Sequence, residues 1–368
     1  MEQIEATDGQ PSLERREPLF LAAFGYLVWL ASVVLLVFVS LAYWQRYDQW
    51  AAATLYPVWC WGAIGVFLVV VGSSRWRRRK TVVLVALWAA FLAAFADTPL
   101  SLVRPLQLAP PRGELRAMSL NCSGFGEALQ KVVVYQPDIV LVQESPTADE
   151  LDAVAHELFG DAANVVRGPD ASILARGEVT AVEVPAPYRE NFVHARVTID
   201  GTAINVISLR LYPCPVRIDL WSRDCWKSYQ GNRETRCKQL ARIADYVNTL
   251  PEDEPLVVGG DFNCPPGDAV LWMLEPRLID AFTVAGRGWG ATIIDLAGVA
   301  MIRIDQIWTS RQLTATNVFA APALRSSPRR GGFLSRIAAG AWRCVRRLAD
   351  CAGRPGMLHS RIFAVRRG

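Results

Sequence analysis

The chain has 368 residues, 39 Lys and Arg against 35 Asp and Glu for a formal net charge of +4, and 52% hydrophobic content with a mean hydropathy of +0.19. That hydrophobic content is high for a wholly soluble chain, and the net charge is in itself no argument for nucleic acid. Its eight cysteines and three histidines show no zinc-ligand spacing, which excludes a thiolate–imidazole zinc centre.

Residues 1–18 form a polar tail, followed by the apolar runs 19–44, 51–71 and 81–103, the last weakened by Asp97 and Pro99. About twenty apolar residues in a row suit a bilayer-spanning helix, so the runs predict a three-helix transmembrane anchor over 19–104. The acidic, polar tail and the length of the first run argue against a removable signal peptide. Arg75, Arg77, Arg78, Arg79 and Lys80 crowd between the second and third runs, whereas 45–50 carries Arg46 offset by Asp48. The excess of basic residues places that loop and the N-terminus in the cytoplasm, and everything after Arg104 outside it. Trp44, Tyr47, Trp50 and Trp76 stand where an aromatic belt is expected.

A Pro-rich linker, 105–113, leads into a domain over 114–368. Residues 115–120 have strand character and end at Asn121, and a helical spacing over 125–135 follows. The buried-type strand 139–142 then ends in Gln143-Glu144. An acid closely following four apolar residues is costly to bury unpaired, and a hard divalent cation is the simplest compensation, against helix capping near Thr147 as the alternative. Strands are further predicted over 171–176, 179–184, 192–199 and 204–211, a helix over 232–250, and strands over 256–258 and 303–308. The Gly259-Gly260 pair and the Pro265-Pro266 pair stop the strand before Asp261. Asp261 and Asn263, two apart on extended chain, then point the same way, unless both merely cap an Asx turn.

Asn121, Gln143-Glu144, Ala171-Ser172-Ile173-Leu174-Ala175-Arg176, Gly260-Asp261-Phe262-Asn263 and Arg303-Ile304-Asp305 occur in an order and spacing that resembles the endonuclease/exonuclease/phosphatase superfamily. The resemblance runs from about Glu114 to the C-terminus. It implies a four-layer α/β sandwich, two packed sheets flanked by helices, and metal-dependent hydrolysis of a phosphate ester with Mg2+ or Mn2+. It gives Glu144 and Asn121 to the metal site, with Asp261 positioning or deprotonating the attacking water and Asn263 donating to the phosphoryl oxygens. Asp305 would orient a histidine.

Two departures stand out. Arg210, in Leu209-Arg210-Leu211, occupies the place of the family's Thr-His-Leu histidine, and Leu358-His359 replaces Asp-His before the final strand 360–366. Arginine can clamp a phosphate but does not shuttle protons. His359 is the remaining candidate for the closing histidine. His156 reads as a surface residue and His194 as core or site.

An insertion at about 325–356 places Arg336, Arg343 and Arg347 on one face of an amphipathic helix, suited to solvent or to anionic lipid. Cys214 with Cys225 is the nearest candidate disulfide, Cys344 with Cys351 comes next, and a Cys122–Cys264 pairing stays open. The function expected is a membrane-anchored phosphoesterase acting on a phosphate mono- or diester, of a lipid head group or of nucleic acid, outside the cytoplasm. Nucleic acid is not specifically indicated. The alternative is a degenerate domain of the same fold that binds a phosphorylated ligand or partner without hydrolysis.

Overall fold

A computed structural model describes residues 19–73, 78–96, 99–105, 114–215, 217–296, 299–321 and 359–367. The tail 1–18, Arg75, Arg77, Asp97, the linker over 106–113, the insertion at 325–356 and Leu358 lie outside the described residues, as do the side chains of 359–367. The chain divides into two compact units, 1–41 with 59–94, and 42–58 with 95–368.

The first unit contains α1 (Leu19–Gln45) up to Leu41, most of α3 (Val58–Val71), and α4 (Arg78–Phe95) up to Ala94; the short α2 (Ala51–Thr54) lies in the other unit. Its helices pack around one small residue. A side chain on Gly65 would meet the Trp88 indole at 2.0 Å, Ser32 Oγ donates to the Gly65 carbonyl (2.9 Å), and Trp88 Nε1 donates to Ser32 Oγ (3.0 Å). Close backbone approach with an interhelical hydrogen bond is a packing mode that works in an apolar solvent.

The expectation of three spans, the third the weakest, is met in part. Among the described residues one helix is long and apolar enough to cross a membrane, over Ala22–Gln45; a second candidate is the pair Asp48–Thr54 and Val58–Val71, bent by 69°. The break falls at Leu55-Tyr56-Pro57, where proline removes a backbone donor and restricts the residue before it. The continuous helix that remains, 14 residues in α3, is about 21 Å long against a hydrocarbon core of about 30 Å. The third run becomes a helix that opens on Arg78, Arg79 and Lys80, which lowers its apolar character.

The second unit is a sandwich preceded by α5 (Pro99–Val103). The first sheet takes its strands in the order β13 (Leu313–Ala321), β14 (His359–Arg367), β1 (Leu115–Asn121), β2 (Ile139–Gln143), β4 (Ala171–Arg176) and β3 (Ala163–Arg167). The second takes β5 (Glu178–Val182), β6 (Phe192–Ile199), β7 (Thr202–Arg210), β8 (Leu256–Asp261), β12 (Asp305–Ser310) and β9 (Leu278–Asp280). A separate hairpin pairs β10 (Ile293–Leu296) with β11 (Val299–Ile302). Both large sheets are mixed, β1 running parallel to β2 and β7 parallel to β8.

The alternation of apolar residues explains the layering. In β2, Ile139 and Leu141 enter the core between the sheets, while Val140 and Val142 face the outer core. That outer core is closed by α6 (Gly126–Leu129) and α7 (Ala148–Phe159), whose Leu151, Val154 and Ala155 face inward. In β8, Val257 points between the sheets, and Leu256 and Val258 point toward Leu240, Ile243, Ala244 and Val247 of α8 (Arg223–Thr249). The remaining short helix, α9 (Ala281–Ala285), adds Phe282 to the central core. Truncating a fully buried residue such as Leu141 to alanine costs about 2–5 kcal/mol.

The segment 42–58 packs on the sandwich rather than apart from it. Ala51, Ala52 and Leu55 share an apolar cluster with Cys225 and Tyr229 of α8. Cys60, Cys122, Cys214, Cys225, Cys237 and Cys264 are free thiols, so the Cys214–Cys225 bridge does not form and Cys122 does not pair with Cys264. Cys344 and Cys351 lie outside the described residues.

Candidate active site

The polar residues singled out from the sequence sit at one edge of the two sheets. Asn121 ends β1 in register with Gln143 of β2 and with His359, the first residue of β14. In the other sheet Asp261, at the end of β8, is in register with both Arg210 of β7 and Asp305 of β12. The sheets thus present Asn121, Gln143 and His359 from one side and Arg210, Asp261 and Asp305 from the other.

Local backbone chemistry explains why the strands stop there. Gly260 has φ +150°, and a Cβ on it would lie 1.9 Å from the Leu209 carbonyl oxygen, so β7 and β8 approach as they do only because that residue is glycine. Glu144 (φ 46°) and Asn263 (φ 51°) both adopt the left-handed region, which costs a non-glycine residue about 1 kcal/mol or more. Two such residues at strand tips mark a constrained site.

Asn121 joins the sheets. Its Nδ2 donates to Glu144 Oε1 (2.9 Å) and to Asp261 Oδ2 (3.0 Å), while its Oδ1 accepts from the Ser123 amide (2.9 Å). The side-chain amide is therefore oriented by its surroundings, with its nitrogen between two carboxylates. Asp261 Oδ1 accepts from the Asn263 amide (3.0 Å), and Asn263 Nδ2 donates to the Leu211 carbonyl (2.9 Å). Both readings of Asp261-Phe262-Asn263 thus hold in part: Asp261 faces the site, and the pair also makes an Asx turn.

Arg210 lies between acids. Its Nη2 is 2.8 Å from Glu144 Oε1, and its Nη1 donates to Asp170 Oδ2 (2.8 Å), while its buried Nε has no acceptor among the described residues. Burial together with the neighbouring Asp305 carboxylate raises the Asp261 carboxyl well above the ordinary carboxylate range, against the lowering effect of Asn121, the Asn263 amide and Arg210. Asp305 is buried, and its amide donates to Thr292 Oγ1 (3.2 Å). Next to it, Arg303 makes a buried two-point pair with Asp280 (3.0 and 2.5 Å) that holds the start of β12.

Under the tips, Gln143 Nε2 donates to Ser208 Oγ (3.1 Å) and Ser119 Oγ donates to Gln143 Oε1 (3.3 Å), a polar strut between the sheets. The structure therefore brings Asn121, Glu144, Arg210, Asp261, Asn263 and Asp305 together. For His359 it places the backbone, beside Asn121. His194 is core: it is buried, Nδ1 faces Tyr246 Oη (2.7 Å) and Nε2 faces Asn205 Oδ1 (3.1 Å). His156 is exposed on α7, as expected.

Asp170, Thr292, Ser208 and Asp280 were not singled out from the sequence. Asp170 follows Gly168-Pro169 just before β4, an ordinary turn signal that carries no hint of Arg210, 40 residues away.

No group of three or more His, Cys, Asp or Glu residues among the described ones is arranged to hold a metal ion. The donor chemistry is of the kind a hard cation takes when water and phosphate complete its shell: Asn121 joins two carboxylates, Glu144 and Asp261.

A sequence profile described as Endonuclease/Exonuclease/phosphatase family matches residues 118–327. No curated protein matches the chain. Among solved structures, D. rerio TDP2 humanized by 14 mutations is 17% identical, with TM-score 0.47, 69% of this chain and 99% of that one covered. An endonuclease/exonuclease/phosphatase family protein from Bacteroides thetaiotaomicron is 13% identical, with TM-score 0.46 over 68% of this chain and 97% of that one. A mannosyl-6-phosphatase from the same bacterium is 13% identical, with TM-score 0.45 over 68% and 99%.

Proposed function

Since the chain belongs to the endonuclease/exonuclease/phosphatase family, whose members hydrolyse phosphate esters, we propose that it is a membrane-anchored phosphoesterase dependent on Mg2+ or Mn2+. The observation that carries the reading is Asn121 joining Glu144 of one sheet to Asp261 of the other. This fixes two acids from different elements at one strand edge, the preorganisation that phosphoryl transfer requires.

In this reading Asp261 aligns the attacking water and takes its proton. Its oxygens are held by the Asn121 and Asn263 donors, and its raised affinity for a proton suits a base working near neutrality. Arg210 binds a phosphoryl oxygen through the guanidinium that now pairs with Glu144 and Asp170. Asn263 donates to the Leu211 carbonyl, so it positions the loop, and contact with phosphate would require exchanging that bond. Asp305 and His359 are proposed to complete the site, the backbone of His359 lying in register with Asn121. Glu144, with Asn121 at its side, is the ligand proposed for the cation, which when bound would neutralise charge on the phosphoryl group. Taking up that role requires Glu144 to part from Arg210.

The anchor is proposed to comprise α1, the bent α2–α3 pair and α4, with the sandwich outside the cytoplasm. The packing of 42–58 on α8 favours this arrangement, because the connection between the first two apolar helices then lies on the same side as the sandwich.

The test uses the full-length protein in detergent with bis-p-nitrophenyl phosphate and Mg2+. Turnover should vanish on chelation and fall about a hundredfold or more in Asp261→Asn, the scale expected for loss of a general base. Robust turnover indifferent to both treatments would remove this site from the chemistry. The Glu144–Arg210 ion pair favours a second reading, a non-hydrolytic domain that binds a phosphorylated ligand. No turnover together with a Mg2+-independent thermal shift by inorganic phosphate would support it.

A further inference from the structure

The chain leaves α1 at Gln45 and enters α3 at Val58, and the intervening segment is tied to the catalytic end of the sandwich by two routes. Arg233 is 2% exposed; it donates to the carbonyls of Arg46 (2.8 Å) and Tyr47 (3.3 Å), and its Nη2 lies 2.9 Å from Asp268. Asp268 is seven residues beyond Asp261. On the other route Tyr56 Oη donates to the carbonyl of Arg217 (2.7 Å), seven residues beyond Arg210. Seven residues span at most about 25 Å, so each tie lies within that distance of a strand tip.

Between Arg217 and α8 two large apolar side chains face solvent, Ile218 at 54% and Trp221 at 85% exposure. The turn that carries them is pinned. Tyr229 Oη accepts from the Arg217 amide (2.9 Å) and donates to the Arg217 carbonyl (2.6 Å), and Trp226 Nε1 donates to the Leu220 carbonyl (2.8 Å). Trp226 also meets Trp50 edge-on at 6.5 Å. Holding an indole in water on a fixed turn is unfavourable unless something covers it. On the flanking segment Trp44 and Tyr47 are exposed as well, the residue types that settle at the bilayer–water interface.

Nucleic acid is the poorer occupant. Backbone binding needs several unpaired cations along a track, whereas Arg210 is paired with Glu144 and Asp170, and Arg217 with Asp219 (3.0 and 2.5 Å).

We propose that residues 217–222 form a membrane-interface contact, Trp221 and Ile218 sitting in the head-group layer beside the α1–α3 connection, and that the phosphate ester the site accepts is carried by a membrane lipid. This rests on the membrane-anchored phosphoesterase reading above.

The test uses full-length protein in nanodiscs of phosphatidylcholine with either phosphatidylglycerol, a lipid diester, or phosphatidic acid, a lipid monoester. Acyl-chain-brominated lipid should quench a fluorescence component that Trp221→Phe lacks. The ratio of lipid turnover to bis-p-nitrophenyl phosphate turnover should fall about tenfold in the Ile218→Ser, Trp221→Ser double variant, as expected for losing two partly buried apolar anchors. An unquenched Trp221 overturns the contact. Turnover of the soluble diester with an unchanged ratio, or with neither lipid hydrolysed, overturns the lipid assignment and leaves the phosphoesterase standing. Absence of turnover on every substrate overturns the phosphoesterase and the lipid assignment together, and quenching still decides the contact.

Discussion

Glu144 has two partners, Arg210 and Asn121, and the metal role proposed for it requires it to part from Arg210. Arg210→Met removes the competing guanidinium while keeping the apolar stem. The Mg2+-dependent rise in Tm should therefore become larger in that variant, and phosphate-ester turnover should fall because the phosphate loses a donor. Glu144→Gln should abolish the Mg2+-dependent rise in Tm with the fold retained, and an unchanged response would remove Glu144 from the metal site. Gly260 tests the backbone instead. Its alanine variant places a methyl group 1.9 Å from the Leu209 carbonyl oxygen, which should cost about 3 kcal/mol or more, seen as a lowered denaturant midpoint.

At the scale of elements, two buried polar groups set how helices sit on the second sheet. His194 of β6 faces the Asn205 Oδ1 acceptor with Nε2, which assigns the proton to Nε2 and leaves Nδ1 to accept from Tyr246 of α8. Burial lowers the proton affinity of that imidazole below its ordinary value of 6.5. The unfolded chain therefore takes up a proton first as pH falls, so the stability His194 contributes is present above about pH 6.5 and is lost below it. Urea midpoints measured from pH 7.5 down to about pH 5 should drop in the wild type, and the drop should be shallower in His194→Phe. Arg233 on α8 is the second case. Its pair with Asp268 is buried on both sides, each side chain 2% exposed, so Arg233→Met strands a carboxylate and should cost about 3 kcal/mol in thermal or urea unfolding.

For the whole molecule, the consequence of packing 42–58 on α8 is that the sandwich is incomplete without chain that precedes it. A fragment beginning at Pro99 uncovers the cluster of Cys225 and Tyr229 and removes the carbonyls that satisfy Arg233, so its Tm should lie below that of the sandwich in the full chain, read by circular dichroism. A reporter fused after Gly368 should be active only when exported, and a cytoplasmic signal would reverse the proposed orientation.

Much of this architecture is legible in the amino-acid order because it is local. The continuous apolar run 139–142, the alternation in 192–199 and the Gly-Gly and Pro-Pro punctuation around Asp261 define strands and their ends without reference to distant chain, and β4 and β6 fall where that reading puts them. The acids and amides at the strand ends were visible for the same reason. Short or irregular strands were missed: β3 has no clear alternation, β9 has three residues, and β13 carries a register shift between Ala315 and Asn317. The second apolar run read as one helix because hydropathy does not register a bend, and Pro57 broke it. What the sequence by itself determined is therefore the longer regular elements and the chemistry at their tips, since both depend on neighbouring residues. Only the tertiary structure decided which tips meet. Asp170 reaches Arg210, Asn121 bridges to Asp261, and Arg233 closes on the carbonyls of 46 and 47, all contacts between residues far apart in the chain. Such contacts are selected by the packing of layers, which no local pattern encodes.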